Sequence, residues 1–231
     1  MPAPGPGDPA APGVAIALLS GGLDSVVASA LWLDRGGRLA RCVTIDYGQR
    51  AATREAAAAE RFCAARGVTW QLVPLPWLGE LSWRSGSALV ATERELPAGT
   101  PAAPGDDASA AAVWVPARNC VLLALGAAFA EAFGADTVLA GFNREEAATF
   151  PDNSVEFVRA AAAFLGCGTR VGIAVASPTQ DLDKAGIVAA ARRLGIDRSD
   201  VWSCYRGEAA PCGHCESCLR SARAWGDAAA G

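Results

Sequence analysis

The sequence predicts an α/β protein: a doubly wound, mostly parallel sheet with helices on both faces, joined to a small metal-binding subdomain near the C-terminal end. Three observations carry this expectation. Short apolar runs alternate with helix-compatible segments through most of the chain, the pattern of parallel strands linked by helical crossovers. Of the 231 residues, 52% are hydrophobic and only 19% charged, enough apolar side chain for a large core. Four of the eight cysteines fall between positions 204 and 218, which sets that stretch apart. The length suits one domain of roughly 100–200 residues with a small appendage.

Each element can be justified in order. Residues 14–19 are a short apolar run with the look of a buried strand, and Ser20-Gly21-Gly22 stops it. A helix-compatible segment follows at 24–34. Residues 39–45 are a second strand candidate, ended by Asp46-Tyr47-Gly48. Residues 50–66 are Ala-rich with spaced charges, a strong helix closed by Gly67. A third strand is expected at 68–73. From 74 to about 112 the rhythm breaks, with Pro, Gly, Ser, Asp and two Trp residues and no clean period. The stretch 74–115 therefore reads as a long loop or lid. Regularity returns with an apolar helix at 118–133, a strand at 137–140, a loop at 141–153, a helix at 155–165, a strand at 170–175 and a helix at 183–194. The expected organisation is a main domain over 14–200 and a cysteine subdomain over 201–226. In such sheets ligands sit at the carboxyl ends of the strands, so the loops that start at Ser20, Asp46 and Gly141 should converge.

Charge and targeting signals narrow the function classes. The formal net charge is −4 and no Lys/Arg run occurs, which counts against a nucleic-acid partner. No apolar stretch of roughly 18 residues suggests a membrane helix. Residues 1–13, MPAPGPGDPAAPG, lack the basic start and apolar middle of a signal peptide and read as a disordered tail. A cytoplasmic location is the expectation.

The string Ser20-Gly21-Gly22-Leu23-Asp24-Ser25 carries the first chemical signal. Two glycines between strand and helix allow a tight turn and close approach to a ligand. The first N–H groups of the following helix are unpaired within it, and its dipole adds positive potential. Ser20 and Ser25 supply hydroxyls, giving a phosphate cradle that needs no Lys. Asp24 would orient this loop or meet Mg²⁺. The plainer alternative is a Gly-Gly turn followed by an Asp/Ser cap.

Cys204, Cys212, Cys215 and Cys218 carry the second signal, spaced C-x₇-C-x₂-C-x₂-C. Four thiolates suit a closed tetrahedral Zn²⁺ site, whose role would be structural because no coordination position remains for substrate. A redox Cys-x-x-Cys pair and an iron–sulfur cluster are the competing readings. His214, the single histidine, lies between two of these cysteines and reads as a bystander or an outer donor. Cys42, Cys63, Cys120 and Cys167 read as ordinary core residues.

The two motifs together resemble the 7-cyano-7-deazaguanine synthase (QueC) family of the N-type ATP-pyrophosphatase, or PP-loop, superfamily. Further segments match: Asp46-Tyr47-Gly48-Gln49-Arg50, Val115-Pro116-Ala117-Arg118-Asn119, Phe150-Pro151-Asp152, and Ser177-Pro178-Thr179 followed by Lys184. The resemblance spans roughly residues 14–225. It implies an adenine nucleotide alpha hydrolase-like fold and a ligase that turns 7-carboxy-7-deazaguanine and free ammonia into a nitrile at the expense of ATP. The carboxylate would be adenylated, aminated to an amide, and the amide oxygen activated and lost. The implied partners are these small molecules, with no nucleic acid and no membrane, in a homodimer. The implied cofactors are one structural Zn²⁺ per chain and Mg²⁺ accompanying ATP.

The resemblance also implies roles. Leu19, Ser20, Gly21, Gly22, Leu23, Asp24 and Ser25 would bind nucleotide, with Asp46, Tyr47 and Gln49 lining the adenosine or the reacting centre. Arg118 would reach phosphate or the acyl-adenylate, and Lys184 would neutralise the departing pyrophosphate. With Asp24 they form the expected catalytic set. Arg118, Asn119, Asn143, Phe150 and Asp152 would bind substrate, with Asn143 and Asp152 reading a guanine-like edge. For several of these a plain structural role competes: a turn at Tyr47-Gly48, surface ion pairing for Arg118, a helix-start surface position for Lys184. Phe150-Pro151-Asp152-Asn153-Ser154 stands where many members carry a Tyr-Pro-Asp-Cys-Arg-like string. That departure admits an alternative, a related enzyme that passes an adenylated deazaguanine or tRNA nucleoside to another acceptor. A tRNA-modifying enzyme would want a basic surface, and a non-catalytic zinc module would not need the phosphate loop.

Overall fold

The computed structural model describes residues 12–98 and 107–226. The expected tail therefore lies outside the described residues, apart from Pro12 and Gly13. Five strands, β1 (Val14–Leu18), β2 (Arg38–Asp46), β3 (Trp70–Pro74), β4 (Thr137–Leu139) and β5 (Ala174–Ala176), form one sheet in the order β3-β2-β1-β4-β5. Every pairing is parallel. The chain winds outward from β1 to β3, returns, and winds the other way through β4 and β5. The direction reverses beside β1, so the crevice at the carboxyl ends of β1 and β4 is the natural ligand position.

Alternation along β1 builds the two cores. Ala15 and Ala17 face a core with Val26, Val27, Ile187 and Val188, whereas Ile16 faces Val43, Leu123, Ala127 and Val138. Helices α1 (Leu23–Asp34), α2 (Ala52–Arg66) and α8 (Lys184–Arg193) serve the first face. Helices α5 (Arg118–Phe133) and α7 (Val155–Gly168) serve the second. α1 is apolar almost all round because it lies between the sheet and α8.

Several expectations need adjusting. The stretch expected as one long loop holds two helices, α3 (Pro76–Arg84) and α4 (Asp107–Val113); residues 99–106 lie outside the described residues. Pro76 does not break α3, because at the first turn it removes an N–H that has no helical acceptor. Leu78 and Ser82, one turn apart, are the buried side of this helix. The strand expected at 170–175 is displaced to Ala174–Ala176. The loop expected at 141–153 contains a one-turn helix, α6 (Arg144–Ala147), and a 3-10 turn at Pro151–Asn153. The cysteine region ends in α9 (Glu216–Trp225), which packs on α8.

Candidate active site

The expected phosphate loop connects β1 to α1. Gly21 has φ +73°, and a Cβ there would lie 2.2 Å from the carbonyl oxygen of Glu55. Glycine is therefore required both by conformation and by the close passage of α2. Gly141, just past β4, meets the loop from the other side: a Cβ on it would fall 2.6 Å from the backbone N of Ser25. The two serines tie the turn together. Their hydroxyls are 3.0 Å apart, the Ser25 hydroxyl donates to the Gly22 carbonyl (3.1 Å), and Ser20 N donates to Ser25 Oγ (3.2 Å). Thr44 on β2 anchors the strand end by donating to the Leu19 carbonyl (2.6 Å).

Two adjoining cavities of about 210 and 200 Å³ open at this point. Leu19, Ser20, Ser25, Tyr47, Gln49 and Asn119 border the first. Leu23, Phe150, Asp152 and Lys184 border the second. Gly22, Asp24, Arg118 and Glu146 belong to both walls. Gly21 supports the loop from behind rather than facing either space.

Two expected site residues stand apart from the cavities. Asp46 turns to its own loop, where Oδ1 accepts from Gly48 N at 2.9 Å, and it borders a separate surface groove. Asn143 is fully buried and caps α6, its Oδ1 accepting from Glu146 N at 2.9 Å. An Asn at the residue before a helix is taken up by the helix cap.

The electrostatic centre is a three-residue bridge. Lys184 Nζ lies 2.6 Å from Asp24 Oδ2 and 2.6 Å from Glu146 Oε1. Burial pushes the Asp24 carboxyl up to about 6 despite the opposing Lys184 charge, and the Glu146 charge adds to the rise. Glu146 moves the other way: burial works against its charge, but Lys184 outweighs it and holds the carboxyl below its ordinary value. Burial likewise disfavours the Lys184 cation, yet Asp24 and Glu146 together raise its pKa. Asp24 Oδ1 is buried and has no hydrogen-bond partner among the described residues.

Arg118 opens α5, its Nη1 3.4 Å from the Tyr47 hydroxyl. Burial raises the Tyr47 pKa, which keeps its phenol neutral beside the guanidinium. Gln49 donates to Glu55 Oε2 at 2.8 Å, and burial raises the Glu55 carboxyl. In the second cavity Trp114 and Phe150 stack, with ring centroids 6.3 Å apart and planes within 10°. Asn119 Nδ2 holds the Asp152 carbonyl at 3.1 Å, fixing the turn that carries Asp152 into this wall.

Glu146, Glu55 and Trp114 were not expected. Glu146 carried a usable signal: Asn143-Arg144-Glu145-Glu146 has the spacing of a capping box. Its Glu side chain leaves the cap for Lys184. Glu55 and Trp114 carried no local signal.

The four clustered cysteines converge. Their sulfurs all lie within 4.8 Å of one another, and Cys212 Sγ and Cys218 Sγ are 3.9 Å apart. Tetrahedral coordination with M–S of about 2.3 Å gives sulfur pairs at about 3.8 Å. Backbone N–H groups point at the sulfurs, Arg206 N to Cys204 Sγ at 3.3 Å and Cys215 N to Cys212 Sγ at 3.4 Å, as suits thiolate ligands. The cluster could therefore hold a metal ion. His214 is exposed, and its Nδ1 lies 2.8 Å from the Cys212 carbonyl oxygen, outside the sulfur set. Of the four scattered cysteines, Cys42 and Cys63 are buried in the core as expected, but Cys120 and Cys167 are exposed on helices.

Comparison with known proteins gives the same picture over almost the whole chain. A family model described as queuosine biosynthesis protein QueC matches residues 14–229. The chain is 47% identical over 213 residues to a protein named 7-cyano-7-deazaguanine synthase from Pelotomaculum thermopropionicum, covering 90% of this chain and 95% of that one. Proteins of the same name from Desulforudis audaxviator and Methanosarcina barkeri are 48% and 41% identical, over 90% and 93% of this chain and 94% of each relative. With matches of this length and identity, the chain belongs to the QueC family.

Proposed function

We propose that this protein converts 7-carboxy-7-deazaguanine and ammonia to 7-cyano-7-deazaguanine at the expense of ATP, an ATP-dependent carbon–nitrogen ligase of 7-deazapurine biosynthesis. The observation that carries the reading is the full-length similarity, 36–48% identical, to proteins named for that synthase. The two cavities that meet at Asp24 support it, since nucleotide and acid must share one reacting centre.

In this reading the first cavity takes ATP and the second takes the acid. The loop from Ser20 to Ser25 and the start of α1 receive the phosphates through N–H groups, hydroxyls and the helix dipole. The acid's carboxylate oxygen attacks the α-phosphorus, forming an acyl-adenylate as pyrophosphate leaves. Lys184 and Arg118 offset the negative charge that builds up between the two ligands. Ammonia then forms the C–N bond as the C–O bond to AMP breaks, giving the amide. The amide oxygen attacks a second ATP in the same way. Loss of that oxygen with AMP, and of the nitrogen's protons, leaves the nitrile. Phe150 and Trp114 offer a flat wall to the heterocycle, and Asp152 is the acceptor for its ring N–H and amine.

Two metal ions belong to the reading. The Asp24 carboxylate, whose Oδ1 is buried without a hydrogen-bond partner among the described residues, fits a hard divalent cation such as Mg²⁺, which would neutralise phosphate charge. The four sulfurs fit Zn²⁺, which would hold the subdomain together. A homodimer is also part of the reading, supported by the apolar face of α3, where Trp77 and Leu81 are 48% and 49% exposed. No helix among the described residues is long and apolar enough to cross a membrane, in keeping with a cytoplasmic enzyme.

The test is direct. The pure protein with ATP, Mg²⁺, ammonium and 7-carboxy-7-deazaguanine should release AMP only when the acid is present, and the product mass should be that of the nitrile. Absence of AMP together with absence of nitrile or amide sinks the proposal.

A further inference from the structure

We propose that Arg220, on α9, recognises the ring carbonyl oxygen of the acid, so that the cysteine subdomain supplies a substrate-recognition wall. The inference rests on the acid substrate proposed above. The second cavity has two unlike sides. One belongs to the sheet domain and carries Asp24, Arg118, Glu146 and Lys184. The other belongs to the cysteine subdomain and carries Trp202, Ser203, Tyr205, Ser217, Arg220 and Ser221. These residues keep close to the sulfurs in sequence. Ser203 and Tyr205 flank Cys204, Ser217 precedes Cys218, and Arg220 follows it by two positions. The cysteine cluster thus sets the shape of this wall directly.

Three cations border the cavity, and two are committed on the sheet side. Lys184 bridges Asp24 and Glu146, and Arg118 sits beside Tyr47. Arg220 is the cation of the opposite wall. Its Nη2 donates to Glu216 Oε1, and the two side chains are only 16% and 7% exposed, so the guanidinium is held in place. A guanidinium has five N–H donors in a rigid fork, so one bond to Glu216 leaves donors for a ligand.

The acid is flat, and the stacked rings of Trp114 and Phe150 border the same space. Adenylation requires its carboxyl group to face Asp24 and the nucleotide cavity. The oxygen acceptor left beside that carboxyl group is the ring carbonyl, and a charged donor is its complement. Glu216 is the positioning residue, since it fixes the guanidinium and does not itself border the cavity.

The experiment compares wild type with Arg220→Gln and Arg220→Lys, measuring KM for the acid and for ATP, direct binding of the acid by calorimetry, and bound metal per chain. Loss of one charge-assisted hydrogen bond should raise KM and Kd for the acid about 10- to 100-fold, leaving KM for ATP and the metal content unchanged. Arg220→Lys should lie between, because an ammonium keeps the charge without the fork. An analogue bearing an amine in place of the ring carbonyl should be rejected by wild type and discriminated far less by Arg220→Gln. If wild type turns over the acid while Arg220→Gln keeps the wild-type KM and Kd, this inference falls alone. Metal loss with a uniform fall in kcat in both variants would also overturn it, because Arg220 would then be a structural residue. If wild type does not turn over the acid, the proposed function itself fails.

Discussion

Replacing Asp24 by Asn should make the protein more stable at neutral pH while abolishing turnover. The carboxyl of Asp24 is pushed from 3.8 to about 6 by burial, even with Lys184 2.6 Å away. A group whose pKa is higher in the folded than in the unfolded chain binds its proton more tightly when folded. Its stabilising contribution is complete below pH 3.8 and is lost as the pH rises through about 6. A shift of this size corresponds to about 3 kcal/mol at pH 7, an upper figure because the side chain keeps some contact with water. Asn has the same shape and no charge to desolvate. Lys184 keeps Glu146 as a partner at 2.6 Å, so the substitution leaves no buried cation unpaired. Urea unfolding of the two chains at pH 4 and pH 7 measures the effect. The two should be close at pH 4, and the variant ahead by up to about 3 kcal/mol at pH 7. AMP release should fall to background. A stability difference that does not change with pH, or a variant that still turns over, would refute the reasoning.

Three further outcomes are expected. Glu146→Gln removes one of the two carboxylates that hold Lys184 and should lower kcat for AMP release on the order of 100-fold, the scale of losing one preorganised electrostatic partner; an unchanged kcat would remove Glu146 from the reacting centre. Gly21→Ala must accommodate φ +73° and a Cβ 2.2 Å from the Glu55 carbonyl oxygen, so the urea midpoint should drop by the equivalent of at least about 2 kcal/mol; an unshifted midpoint contradicts the close approach. Wild type should carry about one Zn²⁺ per chain and Cys215→Ser none, with a lower Tm; full metal content in the variant would mean the sulfur set is wrong.

What was legible in the sequence follows from how local each feature is. Ser20, Gly22 and Ser25 are near neighbours in the chain, and the hydrogen bonds that join them are local. The cysteines could be read because the last three are three positions apart and the fold brings Cys204 to them. Asp46 and Asn143 were expected at the site because the family resemblance implies it and both fall in loops expected to follow strands. For Asn143 the capping-box spacing to Glu146 pointed to a helix cap, whereas Asp46 had no comparable signal; in the structure Asn143 caps α6 and Asp46 holds its own turn. The pairing of Asp24 with Lys184 spans 160 positions. Each residue was visible as a candidate, but their contact, and hence the raised Asp24 carboxyl, exists only in the folded chain.

The sequence says least about how the cysteine subdomain, expected as a small appendage, meets the sheet domain. Trp202 N donates to the Gly21 carbonyl at 2.9 Å, so the subdomain holds the loop from Ser20 to Ser25 at its tightest point. Arg54 on α2 donates to the Glu208 carbonyl at 2.8 Å, tying in the helix that forces residue 21 to be glycine. Glu216 N reaches the Pro97 carbonyl at 3.4 Å, and Ala98 bridges Cys215. The stretch expected as a lid is thereby fastened to the same subdomain. A loop built on backbone N–H groups works only if its geometry is fixed before the ligand arrives. Here that geometry depends on a hydrogen bond from a segment two residues before the first sulfur. A metal held by the four sulfurs, as proposed above, would therefore act on the loop from Ser20 to Ser25 through Trp202, and its removal should disturb that loop.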